Sequence, residues 1–237
     1  MKHHSTNPFD SDVSLNGGYL YTTNALLSSR LANERLTRAT IDMMRLKGKR
    51  VIDVGCGDGS YTIDLYKKYK PEYTLGFDAS RNAINLAKVL YKKNKNIYFE
   101  KGNIYNIPKR FGNFDIAIIR GVLHHLDSPQ KAIQSVAKVA SHIIILEPNG
   151  YNPLLKIIEK VSLYHRIHKE KSYFPLLIRT WVKKAGFRVI EDDFVGLVPF
   201  FCPDGMATTL KKVEPFVEGF PYVRNFLCGV YVLHAKK

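Results

Sequence analysis

Long apolar runs are missing from these 237 residues. None reaches the ~18 consecutive apolar positions of a membrane-spanning helix, so no transmembrane segment is expected. The opening stretch, Met1-Lys2-His3-His4-Ser5-Thr6-Asn7-Pro8, lacks an apolar core and does not read as a secretion signal. Cysteine is scarce too. Cys56, Cys202 and Cys228 form an odd set without metal-ligand spacing, which argues against a disulfide framework and suits a reduced, cytoplasmic protein. Internal repeats, low-complexity tracts and long linkers are also absent, and a chain of this length buries a sizeable core as one domain.

Acidic residues are in short supply: 21 Asp and Glu face 36 Lys and Arg, a formal net charge of +15 at pH 7. The cations cluster at Arg45–Arg50, Lys67–Lys70 and Lys92–Lys95. A surface of that sign attracts nucleic acid or anionic substrates. The first cluster precedes a strand and the other two end helices, where lysines complement the helix dipole. A solvated edge of the sheet, opposite the ligand end, is therefore the expected place for all three.

What is present centres on Val51-Ile52-Asp53-Val54-Gly55-Cys56-Gly57-Asp58-Gly59-Ser60. The apolar run reads as a buried strand, and Ser60 opens a helix carrying Tyr61, Ile63 and Leu65. A strand turning through Gly-x-Gly-x-Gly into a helix offers bare backbone N–H groups to a ligand, with no side chain to obstruct it. A second strand, Tyr73–Phe77, ends in Asp78, and an acid about twenty residues past such a turn is suited to ribose hydroxyls. A third strand, Ile97–Glu100, leads to Gly102-Asn103-Ile104. A fourth, Phe114–Ile119, leads to Arg120-Gly121-Val122-Leu123-His124-His125-Leu126, and a fifth, His142–Leu146, to Glu147-Pro148-Asn149-Gly150. Helices expected near 60–70, 80–94 and 129–140 alternate with these strands, which predicts a doubly wound α/β sheet.

This series of motifs, spanning Lys49 to Pro148, resembles the class I S-adenosylmethionine-dependent methyltransferases, and within them the type 11 group of mostly small-molecule enzymes. The resemblance implies a Rossmann-like sheet of about seven strands, mostly parallel with an antiparallel last strand. It implies S-adenosylmethionine as cofactor and S-adenosylhomocysteine as product. Gly55, Cys56, Gly57 and Gly59 would border the methionine part, with Asp53 organising its amino group. Asp78 would take the ribose, Ala79 and Ile104 would flank adenine, and Arg120 would reach the methionine moiety through its backbone. Asn103 stands where many relatives carry Asp for the adenine amino group, and its carbonyl can accept the same bond.

The acceptor needs its own argument. A hydroxyl must lose a proton as the new bond forms, and histidine suits that near neutrality. His125, ahead of His124, is the candidate base, with Glu147 orienting one of them or binding substrate. No metal is expected. The Asn/Asp-Pro-Pro-aromatic signature of nucleic-acid amine methylation, the Pro-Cys of cytosine C5 enzymes and the clustered Asp and Asn of metal-dependent enzymes are all missing after strand four.

The flanks complete a single domain, 1–237. Residues 1–47 read as an arm and a cap helix running to about Leu46, with Tyr19, Tyr21 and Arg30 as substrate contacts. Residues 48–148 form the cofactor core, and 149–237 carry substrate-side insertions and the last strands. Tyr151, Asn152 and His165 are pocket candidates there. His165 and His168 lack a third metal ligand. Residues 194–222, with four prolines, read as irregular, and the final strand as running from Cys228 or Val230 to His234. The expected reaction is O-methylation of a small polar acceptor, a sugar or glycan precursor, by a monomer or homodimer. An RNA or tRNA methyltransferase and a non-catalytic cofactor-binding module are the alternatives.

Overall fold

A computed structural model of the chain describes residues 26–161 and 171–237. Helix α1 (Leu27–Met43) leads into β1 (Arg50–Val54), α2 (Ser60–Tyr69), β2 (Tyr73–Asp78), α3 (Arg81–Tyr91) and β3 (Ile97–Lys101). Two single 3-10 turns precede β4 (Phe114–Arg120), and a third (Leu123–His125) follows it. Then come α4 (Pro129–Val136), β5 (Ala140–Pro148), α5 (Pro153–Val161), α6 (Pro175–Lys184) and β6 (Arg188–Val195). Helices α7 (Asp204–Gly219) and α8 (Pro221–Leu227) precede β7 (Val230–Lys236).

The seven strands form one sheet in the order β3-β2-β1-β4-β5-β7-β6. The first five run parallel; β7 alone is antiparallel, held between β5 and β6. Strands covered on both faces are apolar at consecutive positions, as Ile116 to Ile119 are, and all four are fully buried. Ile116 and Ile118 pack with Leu36 and Ala39 of α1 and Leu65 of α2 on one face. Ala117 and Ile119 pack with Ile133 of α4 and Ile178 and Val182 of α6 on the other. Ser80 caps α3 by accepting from the Ala83 N–H at 3.1 Å.

The irregular reading of 194–222 is corrected by α7 and α8. Two of its prolines sit at helix starts, since Pro203 caps α7 and Pro221 opens α8, positions where a missing N–H costs nothing. Pro215 lies inside α7 on its exposed side, where the carbonyl it frees meets water. The cap helix also stops earlier than expected, at Met43, leaving Leu46 buried in the following loop.

Asn152 caps α5. Its Oδ1 accepts from the N–H groups of Leu154 and Leu155 at 2.9 and 3.2 Å, and its Nδ2 donates to the carbonyls of Leu227 and Cys228. Asn152→Ala is expected to lower stability by about 1–2 kcal/mol, the worth of a helix cap, without altering cofactor affinity. Paired thermal melts and calorimetric titrations check this; a lost cofactor affinity would return Asn152 to the pocket.

Candidate active site

A cavity of about 810 Å³ opens over the C-terminal ends of β1, β2, β4 and β5. Its floor is the glycine turn. Gly55 has φ +81°, and a Cβ there would meet Val122 Cγ2 at 2.3 Å, so only glycine fits. The Gly57 N–H donates to Asp78 Oδ2 at 2.9 Å, and the Ser80 N–H to Asp78 Oδ1 at 2.8 Å. Asp78 thus stitches the turn after β1 to the turn after β2. Beneath the loop, Asp53 accepts from Thr62 Oγ1 at 2.5 Å. Burial pushes its carboxyl up to about 6, against the pull of the Thr62 hydroxyl and the Arg120 guanidinium. The Cys56 thiol is buried and desolvation raises it well above the usual thiol range, so it stays neutral.

Arg120 closes the side of the cavity. Its guanidinium lies 4.0 Å over the Tyr61 ring and donates to Asn33 Oδ1 on α1. Burial lowers its pKa, opposed by Tyr61, Asp53 and Asp64. Tyr61 is itself pushed up to about 12 by burial and shares a 2.6 Å hydrogen bond with Thr40 of α1. Helix α1 is therefore clamped over the site twice. Its outer side is held by the Arg35–Glu218 fork, at 2.9 to 3.1 Å, and by Ser28 and Ser29, both donating to the Phe200 carbonyl.

Past β4, Glu147 organises the 3-10 turn. Its Oε1 accepts from the N–H groups of Val122 and Leu123, both at 2.8 Å, and its Oε2 from the His124 N–H at 3.2 Å. His124 Nδ1 lies 2.7 Å from the same Oε2. A carboxylate that already accepts three N–H groups needs a donor there, so Nδ1 carries the proton and Nε2 the lone pair. The His125 ring lies 3.8 Å away, inclined at 45°. Both rings line the cavity.

Most of the expected cofactor set converges on this space: Asp53, Gly55, Cys56, Gly57, Asp78, Ala79, Asn103, Ile104 and Arg120 all line it. Gly59 stands just behind, in the left-handed conformation that starts α2. Asn103 spends its Oδ1 on the Tyr105 N–H at 2.9 Å. Three expected substrate contacts are not brought there. Arg30 is exposed on another side of α1, while Ala32, Asn33, Leu36 and Thr37 face inward. Tyr151 packs with Phe174, Phe194 and Phe226, and Asn152 is the α5 cap. Tyr19, Tyr21 and His165 lie outside the described residues. The wall that sequence reasoning missed is largely apolar, with Leu155 and Ile158 of α5 and Val198, Pro199, Phe200 and Phe201 before α7, and Glu159, Lys171 and Ser172 beside α5. The apolar pairs Leu154-Leu155 and Ile157-Ile158 were the available signal. Among the described residues there is no cluster of three or more groups able to hold a metal, and no helix long and apolar enough to cross a membrane.

A seven-stranded sheet with this one antiparallel strand, glycine turn and acid-ended second strand define a class I S-adenosylmethionine-dependent methyltransferase. A family model described as a methyltransferase domain matches residues 45–190, and the chain belongs to that family. It is 26% identical over 155 residues to a tRNA U34 carboxymethyltransferase of Helicobacter pylori, covering 62% of this chain and 59% of that protein. It is 30% identical over 176 residues to the O-methyltransferase rstn1 of Aspergillus nomiae, covering 68% and 74%. The chain thus spans about three-fifths of the first relative's length. Among solved structures it superposes on the partner of the Haloferax volcanii Trm112 methyltransferase activator, with a TM-score of 0.73, 16% identity and 98% of each chain covered.

Proposed function

We propose that this chain transfers a methyl group from S-adenosylmethionine to a hydroxyl of a small amphiphilic acceptor, with His124 as the base. The observation that carries the proposal is the buried Glu147–His124 pair sharing one cavity with the glycine cradle. The residues fit the cofactor. The cavity lies in the 300–1,000 Å³ range typical of about one small-molecule site, the cradle admits no side chain at Gly55, and Asp78 and Asp53 face the same space. When bound, that cofactor supplies an electrophilic methyl group on a sulfonium. Asp53, Gly55 and Gly57 would hold its amino-acid end, Asp78 its ribose, and Ala79 and Ile104 its base.

For the acceptor, the chain's task is to position a hydroxyl and remove its proton. His124 Nε2 takes that proton, and Glu147 stabilises the imidazolium through Nδ1–H. Positioning supplies much of the acceleration in such displacements, on the order of 7–11 kcal/mol in favourable cases. With Arg30, Tyr151 and Asn152 elsewhere, the acceptor half is walled mainly by Leu155, Ile158, Phe200 and Phe201, with Glu159, Lys171 and Ser172 as its polar part. That lining favours an apolar body with a polar reacting end over the sugar or glycan precursor expected from sequence. A second reading, transfer to RNA, draws on the +15 charge and the tRNA-modifying relative.

One assay separates them: transfer of labelled methyl to a panel of alkylated phenols, sugar nucleotides and tRNA at rising salt. Transfer to a phenol, little affected by salt, is expected. Transfer confined to tRNA and falling steeply with salt would overturn the amphiphile reading, transfer confined to sugar nucleotides would restore the glycan one, and cofactor binding without any transfer would favour a regulatory module.

Cofactor binding should also depend on pH. The folded-state value of Asp53 lies above its ordinary one, so this group favours the fold most below about pH 4. That contribution, on the order of 3 kcal/mol, is lost as pH rises through about 6. Binding runs the other way, because a cationic ligand needs the ionised carboxylate. Affinity for S-adenosylmethionine is expected to be roughly tenfold weaker at about pH 5 than at about pH 7, and Asp53→Asn should flatten the profile. A wild-type profile already flat by calorimetry would remove Asp53 from the ammonium site.

A further inference from the structure

Helix α5 is apolar on two sides and buries no residue fully. Leu155 and Ile158 turn into the cavity wall, whereas Leu154, Ile157 and Val161 are each more than half exposed. Phe174 and α8 adjoin this helix. The Lys156 Nζ lies 5.4 Å over the Phe174 ring, and Tyr151 bridges Phe174 to Phe226 of α8 at 5.7 and 6.4 Å. The Asn152 and Asn149 amides tie the start of α5 to the carbonyls of 225–228 at the end of α8. Phe174, Phe226 and, one turn earlier on α8, Tyr222 are more than half exposed. An exposed apolar face thus lies beside the α5 wall of the cavity, and exposure of this kind marks an interaction surface.

Charge around this face identifies the occupant. Asp127, near Tyr173, is exposed and Asp193 pairs with Arg224 of α8, while the acids on α5 and the last half of α7 are turned inward. Glu159 accepts from the Ser172 N–H and Lys156, Glu214 from the Leu197 N–H and Lys211, and Glu218 from Arg35 and the Gly196 N–H. On α5, α7 and α8 only Asp204 is an exposed acid, while Lys160, Lys171 and Lys212 are exposed cations in or beside these helices. Two copies at +15 apiece repel one another. Exposed aromatic and aliphatic side chains with exposed lysines on and beside the same helices match the boundary between acyl chains and anionic headgroups.

We propose that the face formed by α5, Phe174 and α8 docks on an anionic lipid surface. The α5 wall of the cavity then sits at the depth where an amphiphilic acceptor resides, and α5 lies with one side in the lipid boundary and the other in the acceptor wall. Only the entry of the acceptor rests on the amphiphile reading; the docking does not.

Flotation of the full chain tests it, with vesicles of phosphatidylcholine alone and vesicles about one-third phosphatidylglycerol. Partitioning at least about tenfold stronger onto the anionic vesicles is expected. The double variant Ile157→Glu, Phe226→Glu should lose roughly tenfold or more of it, with an unchanged melting temperature and S-adenosylhomocysteine affinity, since neither side chain is buried or lines the cavity. No flotation of the wild type, or equal flotation of the variant, would overturn the proposal. So would sedimentation as a dimer that the variant dissociates, which would assign the face to a second copy. If soluble phenols are not methylated but flotation persists, the acceptor reading falls and the docking stands.

Discussion

Replacing Glu147 by Gln is expected to cut methyl transfer by about 10²–10⁴-fold, the usual worth of a positioned general base. The carboxylate accepts from Val122, Leu123 and His124 N–H groups and from His124 Nδ1. A Gln carbonyl can serve Val122 and Leu123, but its amide NH2 would then face two donors. The imidazole escapes by moving its proton to Nε2, so that Nδ1 accepts from the amide. Nε2 then has no lone pair for the acceptor's hydroxyl. The His124 N–H still faces a donor, costing about 1–3 kcal/mol as a buried unsatisfied group. Cofactor affinity should hold, because Glu147 lies on the other side of the β4 turn from the glycine cradle. Glu147→Ala strips all four donors of their partner and is expected to destabilise the fold by about 3–5 kcal/mol. Steady-state kinetics beside calorimetric titration and thermal melts separate the cases. Full turnover by the Gln variant would sink the base assignment.

Asp78→Ala should raise the dissociation constants of S-adenosylmethionine and S-adenosylhomocysteine at least about a hundredfold. Hydrogen bonds to a charged group are worth roughly 1.5–3 kcal/mol each, and this carboxylate is proposed to hold the ribose while bonding the Gly57 and Ser80 N–H groups. The loop itself should loosen, so the unliganded melting temperature falls as well. Asp78→Asn keeps one accepting oxygen and is expected to be intermediate. Titration of each variant, with circular dichroism to report the folded fraction, reads the effect. A folded Asp78→Ala protein with affinity near wild type would remove the ribose assignment.

The parts of this architecture legible in the sequence are those dictated by local chemistry. Ile116 to Ile119 had to be a doubly covered strand, and Gly55 had to sit where a backbone closes on a neighbour, here Val122. The Glu147–His124 pair was only half legible. Adjacent residues on a turn point in different directions, so the sequence order that put His125 ahead of His124 is reversed in the proposed mechanism, because strand β5 sets Glu147 against His124. Arg30 failed for a similar reason. One residue is about 100° around a helix, which is the difference between Arg30 in solvent and its neighbour Ser29, buried against the Phe200 carbonyl. Asn152 was read as a pocket residue because capping and ligand binding use the same amide. Pro203 and Pro221 were read as breakers where they begin helices.

The position of β7 bears on how the chain assembles. Strand β6 precedes β7 in sequence but touches the sheet only through it, with β7 paired to β5 on its other side. As synthesis proceeds, the five parallel strands and their crossovers can pair from neighbours already made. β6 must wait, its ladder groups unmatched, until residues 230–236 arrive. Glu218 and the Phe200 carbonyl, which hold α1 over the site, lie in this late segment. The glycine cradle can therefore form early, whereas closure of α1 over it is tied to the slow, long-range step that inserts β7. A nascent chain arrested before residue 230 should bind the cofactor weakly, if it binds at all, and expose an edge strand open to pairing with other chains.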